Sequence, residues 1–206
     1  MEGYEGASAD EVIARETTDL KVQAAEPKKR LKLGQKYPRG LFSGGTLVAE
    51  ALVLWEGILG DVLSNVALDP RLKLRETTQS EGNCAVDLGE DEFTVGRPHP
   101  MINHDLRIRR LMQEAADPEV AVVVLDVVLG YGAHPDPAGE LGPAIRQARE
   151  QAANEGRELV VVASVTGTEG DPQGLVGRQV RALEEAGAIV ASCNAAAARV
   201  AGFVVV

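Results

Sequence analysis

The sequence has no apolar run that approaches the roughly 18 residues a membrane span requires. It has only two cysteines, Cys84 and Cys193, far apart and in no CxxC or zinc pattern. A disulfide framework is therefore not implied, and a reducing, cytoplasmic setting is expected. Basic charge is short as well: 21 Lys and Arg stand against 31 Asp and Glu, a formal net charge of −10. Phosphate backbones are bound by clustered Lys and Arg, and the only dense basic run is Lys28-Lys29-Arg30, so no nucleic-acid surface is expected. The start, Met1-Glu2-Gly3-Tyr4-Glu5, is acidic where a signal peptide is basic and then apolar. What the chain does have is 45% apolar residues over 206 positions, enough for one core plus a tail.

Residues 1–36 read as an N-terminal extension or linker, and 37–206 as the domain. Ser8, with Glu11 three residues later, is a capping-box start for a helical turn or two. Gln23 to Lys36 is polar, carries Pro27 and shows no periodic apolar face, which predicts a linker. From Tyr37 short apolar runs alternate with amphipathic stretches. Strands are expected at 40–45, 84–89, 120–129, 159–164 and 187–190. Helices are expected over 46–59, from His99 to Asp117, over about 139–155, from the 166–173 loop to about Ala186, and over 195–201. The run Val120 to Leu129 is continuously apolar rather than alternating, as a central parallel strand covered on both faces must be. The order of about five β-loop-α units predicts an α/β doubly wound parallel sheet. Ligand sites in such sheets form where loops leave the carboxyl ends of the strands, here 43–46, 89–98, 130–137 and 166–173.

Four constellations on those loops could carry chemistry. Ser43-Gly44-Gly45-Thr46 offers two glycines, two hydroxyls and a helix N-terminus to an anion, although the same residues also make an ordinary capped helix. Gly96-Arg97-Pro98-His99-Pro100 is a stiff loop that fixes the directions of Arg97 and His99. Arg97 could clamp a carboxylate or phosphate, or simply pair with Glu90, Asp91 or Glu92. In Gly130-Tyr131-Gly132-Ala133-His134-Pro135-Asp136-Pro137 the candidate catalytic residues are His134 and Asp136, with a structural role for the loop as the alternative. Asp126, among aliphatics on the strand before it, needs a partner if it is buried. Gly167 and Thr168 open a second small, polar helix start, where Glu169 and Asp171 would repel a bare phosphate unless Mg²⁺ or Arg97 stood between. An anion is therefore expected at Ser43-Gly44-Gly45-Thr46, which carries no carboxylate of its own. His99, His104, His134, Asp87, Asp91 and Asp136 could converge on one edge. No HxH or HxxxH pair exists, however, and His99 and His104 are five apart, so no metal ligands are assigned.

The segments Arg39 to Leu47, Gly96 to Ile102, Leu129 to Pro137 and Gly167 to Gln173 together resemble the C-terminal half of the FdrA family, described as acyl-CoA-synthetase-like and related to succinyl-CoA ligase. The resemblance covers about residues 37–200 and implies a flavodoxin-like ligase domain. It implies a small carboxylate or phosphate ligand, with Ser43, Gly44, Gly45, Thr46, Arg97, His99, Gly167 and Thr168 binding it. It also implies a homodimer or a second ligase-type subunit, with CoA, nucleotide and Mg²⁺ in the full complex and no cofactor held by this chain alone. Succinyl-CoA ligase passes phosphate through a Gly-His-Ala-Gly loop. The corresponding stretch here, near 167–177, has no histidine, so that step is not carried over. Some FdrA-like proteins belong to purine and allantoin breakdown, which implies carbamoyl transfer as the alternative. A further alternative is a degenerate domain kept for assembly.

Overall fold

Val120–Val128 (β3) is buried along all but its last residue, because aliphatic side chains on both faces of one strand need cover on both. In the computed structural model, which describes residues 8–206 and only the backbone of 175 and 176, this strand is the middle of a five-stranded parallel sheet. Met1 to Glu5 lie outside the described residues. The other strands are Tyr37–Phe42 (β1), Cys84–Asp87 (β2), Val160–Thr166 (β4) and Ile189–Ala191 (β5), in spatial order β2-β1-β3-β4-β5. That is the flavodoxin-like order, whose switch point lies between β1 and β3. The expected doubly wound sheet forms. No helix among the described residues is long and apolar enough to cross a membrane.

Two cores cover the sheet. On one face the odd-numbered β3 residues Val123, Leu125 and Val127 meet Asp105–Ala116 (α4), Pro137–Asn154 (α5) and Arg181–Glu185 (α6). The short helix Asp91–Thr94 (α3) adds Phe93 there. On the other face Val122 and Val124 meet Gly45–Leu59 (α2) and Asn194–Val205 (α7), with Trp55 of α2 donating its indole N–H to Ala198 O at 2.7 Å.

Three expectations are corrected. The segment from Gln23 is helix, not linker, as far as Arg30. It continues Ala9–Arg30 (α1), which starts at the expected Ser8–Glu11 capping box. Leu20, Ala24, Pro27 and Leu31 recur at helical spacing on one side, and α1 packs along α7. Ala and Pro are faint apolar marks, which is why this seam passes for a polar stretch. Beyond it Gln35 Nε2 donates to the carbonyls of Val120 and Glu158, at 2.8 and 2.6 Å, below β3 and β4. Second, α4 starts at Asp105, not at His99. Residues 99–104 make turns instead, and Asn103 Oδ1 accepts the Asp105 N–H at 3.0 Å. Third, the loop 166–173 is not a helix start, because the next helix begins at Leu175 after Gly174, whose φ is 70°.

A buried ion cluster sits toward the amino ends of the strands. Glu114 accepts from Arg39 Nε at 3.1 Å, Arg110 Nε at 2.8 Å and the Ser80 hydroxyl at 2.6 Å, and Arg39 also reaches Asp117 at 3.1 Å.

Candidate functional site at the carboxyl edge of the sheet

The crevice between the ends of β1 and β3 is filled by the protein's own side chains. Asp126, fully buried, accepts the Ser43 N–H on Oδ1 at 2.8 Å and the Ser43 hydroxyl on Oδ2. Arg107, in the first turn of α4, faces Asp126 Oδ1 at 3.2 Å, Leu41 O at 3.2 Å and Asp126 O with one nitrogen. Burial lowers the Arg107 pKa from its ordinary value, and the Asp126 charge opposes that fall. Asp126 thus finds the partner its burial demands, and the Ser43 hydroxyl, expected to bind an anion, is committed to Asp126 instead.

One residue further, Gly44 caps α2 with extended backbone and no side-chain hydrogen bond. Gly45 and Thr46 are exposed, and the first N–H groups of this 15-residue helix at the switch point have no side-chain cap. The loop after β2 closes against this end. A Cβ on Gly89 would stand 2.7 Å from His99 Nε2, 2.8 Å from Ser43 O and 3.0 Å from Asp87 Oδ1, so only glycine fits there. His99 Nδ1 accepts the Met101 N–H at 3.2 Å, which leaves the ring proton on Nε2, beside Gly89. Asp87 is 2% exposed, accepts the Gly89 N–H at 2.8 Å, and lies 3.3 Å from where a Cβ on Gly45 would be. Burial pushes the Asp87 carboxyl up, the Gly89 N–H pulls it down, and Glu90 and Asp126 add to the rise. The expectation of a carboxylate-free anion loop is therefore corrected: β2 lies beside β1 and delivers Asp87 to it.

Arg97 does not line this end of α2. It borders a groove of about 440 Å³ with Phe93, Leu106, Arg109 and Gln113 beside α4. Among the described residues its side chain forms no ion pair with Glu90, Asp91 or Glu92.

The loop after β3 is fixed by Gln173, which donates to Gly130 O at 2.9 Å and His134 O at 3.2 Å while accepting the Gly130 N–H at 3.2 Å. Asp136 is the N-cap of α5. It accepts from Gly139 N–H at 3.3 Å, Gln179 Nε2 at 3.0 Å and Arg178 Nη2 at 2.9 Å. Burial raises its pKa, but Gln179, Arg178 and the Gly139 N–H outweigh that, so the net shift is downward. An Asp so engaged orders the loop. His134 Nδ1 accepts the Asp136 N–H at 3.1 Å, and Nε2 lies 3.3 Å from Glu140 Oε1. In the next loop the Thr168 N–H and hydroxyl both donate to Asp171, at 2.6 and 3.1 Å, and Gly167 packs on Leu129.

Sequence reasoning passed over Arg107, Glu140 and Gln173, whereas it did place His104 and His134 among the residues that could converge on one edge. For Arg107 a signal existed: it lies four residues before Leu111, on the buried side of α4. His104 is 2% exposed, and its ring centroid is 5.1 Å from that of His134. Burial, with help from Arg107 and His134, holds its pKa down from 6.5 to about 4, and the Pro100 carbonyl works weakly the other way. The folded protein thus resists protonation that the unfolded chain accepts. This contribution to stability is complete above about pH 6.5 and lost by about pH 4, a loss of roughly 3 kcal/mol. Urea unfolding between pH 7 and pH 4 is expected to show this decline, and His104→Gln is expected to flatten it. A slope identical in the variant would count against the assignment.

A family model described as CoA-ligase matches residues 41–204. Over 170 residues the chain is 46% identical to "Uncharacterized protein YahF" of Escherichia coli (strain K12), covering 82% of this chain and 33% of YahF. It thus spans about a third of that relative's length. The crystal structure of PH0766 from Pyrococcus horikoshii OT3 superposes with a TM-score of 0.48 at 15% identity, over 90% of this chain and 39% of that one.

Proposed function

Since the chain belongs to the CoA-ligase family, we propose that it is the flavodoxin-like part of an FdrA-like acyl-CoA synthetase, and that it holds a small carboxylate or phosphate at the start of α2. The observation that carries this reading is the uncapped N-terminus of α2 at the switch point, with Gly44 extended and Gly45 and Thr46 open to solvent. Bare N–H groups and the helix dipole favour an anion there. His99 Nε2–H lies at the same loop junction and adds a donor. Asp87 opposes an anion, but burial biases its carboxyl toward the neutral form. At the 167–173 loop the competing donor, the Thr168 N–H, already serves Asp171. In this reading Ser43 fixes the loop rather than the ligand, Arg97 acts at the groove beside α4, and His134 is available through its edge toward Glu140.

Catalysis in this reading needs a second ligase-type subunit, or another copy of the chain, to bring CoA, nucleotide and Mg²⁺. A carbamoyl-transferring complex uses the same anion site with a different acyl donor. The assembly-module alternative draws on one observation: Ser43 and Asp136, two of the expected site residues, are spent on internal hydrogen bonds. One experiment separates these readings: titration with phosphate, succinate, oxamate, carbamoyl phosphate, ADP and CoA, with and without Mg²⁺, followed by calorimetry and by amide NMR. Shifts at Gly44, Gly45 and Thr46, with Thr168 unmoved, are expected. Succinate with CoA favours acyl transfer, and oxamate or carbamoyl phosphate favours carbamoyl transfer. No heat with any of them favours the module, and an anion on Thr168 with Gly45 unmoved refutes the proposed site.

A further inference from the structure

We propose that His104, His134 and Glu140 form a binding site for a divalent transition-metal ion of the zinc class. One ligand atom from each lies within 4.8 Å of the other two. His134 Nε2 and Glu140 Oε1 are already 3.3 Å apart, which is about the edge of a tetrahedron whose ligands stand about 2.0–2.1 Å from zinc. His104 supplies the independent observation. It is 2% exposed; the Pro100 carbonyl approaches its ring, but neither ring nitrogen makes a hydrogen bond of good geometry. A buried polar group left without a partner is destabilising, and such groups are few in folded proteins. Its ring sits against that of His134, tilted by 51°, so a ligand shared by the two imidazoles gives the orphaned nitrogen a partner.

The donor set selects the ion. Two imidazoles and one carboxylate suit zinc and its neighbours, whereas magnesium and calcium prefer oxygen ligands throughout. Glu140 is 44% exposed at its side chain, so the cluster opens toward water on that side, where a solvent molecule can complete the coordination. Arg107 acts on His104 as a like charge and opposes a cation there, and Asp126 at 3.2 Å from Arg107 offsets part of that opposition.

Binding has a stated consequence for one proton. His134 Nδ1 accepts the Asp136 N–H, so in the metal-free protein Nε2 carries the ring proton and directs it toward Glu140. Coordination through Nε2 sends that proton to Nδ1, and the Asp136 N–H must then turn away. No proton is lost from the ring, and the Asp136 amide reports occupancy. This inference stands apart from the anion site at α2, and either can fail alone.

The test uses the full chain with Cys193→Ser, which removes an exposed competing thiol. After chelator treatment it is titrated with Zn²⁺ by calorimetry and with Co²⁺ by visible spectroscopy. One ion per chain, a four-coordinate Co²⁺ spectrum and a displaced Asp136 amide resonance are expected. Replacing a second-shell residue weakens metal binding by about 10–100-fold, so loss of a ligand in Glu140→Gln or His134→Asn is expected to weaken it by more than about tenfold. Glu140→Gln lies at the solvent boundary and tests the site even if His104→Gln fails to fold. Absent or non-stoichiometric binding at millimolar Zn²⁺ overturns the proposal, as does binding that Glu140→Gln and His134→Asn leave unchanged.

Discussion

Asp126→Ala is expected to remove about 3–5 kcal/mol of folding stability, read as a lower urea midpoint at unchanged slope. Asp126 is fully buried and Arg107 is 1% exposed, so truncating the carboxylate leaves a guanidinium in the sheet edge with no counter-charge. The Ser43 N–H and hydroxyl lose their acceptor in the same step. Domains of this size are stable by about 5–15 kcal/mol in total, so the variant stands near the limit of folding. The double variant Asp126→Ala with Arg107→Met removes the stranded charge and is expected to recover part of the loss, even though it breaks more hydrogen bonds. A single variant that loses less than about 1 kcal/mol, or a double variant no better than the single, would show that the crevice network is weakly coupled.

The second large effect is expected at the opposite end of the sheet. Glu114→Ala withdraws the carboxylate shared by Arg39 and Arg110, whose side chains are 2% and 4% exposed. Arg39 keeps Asp117, at 3.1 Å, but Arg110 has no other carboxylate partner among the described residues. Breaking a buried pair by removing one member costs about 3–5 kcal/mol. At about 2–4 °C of melting temperature per kcal/mol for a chain of this size, that is a fall of roughly 6–20 °C. Glu114→Gln retains an acceptor for one arginine and the Ser80 hydroxyl, so it is expected to lose less than Glu114→Ala. Calorimetric scans of both variants check the order. Equal losses would mean that the carboxylate charge, and not the hydrogen bonds that Gln retains, holds the cluster.

The sheet was legible because Val120–Val128 and Val160–Thr166 announce themselves by aliphatic runs that hardly alternate, as a strand covered on both faces does. Asp126 was legible as a residue in need of a partner, but the identity of that partner was not. Arg107 stands beside Arg109 and Arg110 in a run that looks like a solvated helix face. Asp87 reaches Gly45 only because β2 pairs with β1, with Phe42 opposite Asp87, and no local pattern encodes that adjacency. His104 and His134 meet because Met101 O accepts the His134 N–H at 2.9 Å, a contact between two irregular loops. Helical spacing misled at His99, because turns can also place apolar residues at intervals of three and four. It failed at α1 because the buried positions there are Ala24 and Pro27.

The pairing of α1 with α7 also sets an order of events during folding. Lys28 of α1 donates to the carbonyl of Val206, 178 positions away along the chain. Contacts of such long sequence separation form late, because loop closure must be met before they reward it. During synthesis α1 emerges first and has no docking surface until Asn194–Val205 has been made. Until then its Leu20–Ala24 seam stays wet, and the outer side of β3 and β4, which α7 covers, stays open as well. A ribosome-bound chain that has not yet made α7 therefore exposes both of these apolar surfaces, and docking of α7 works as the latch that ends that exposure.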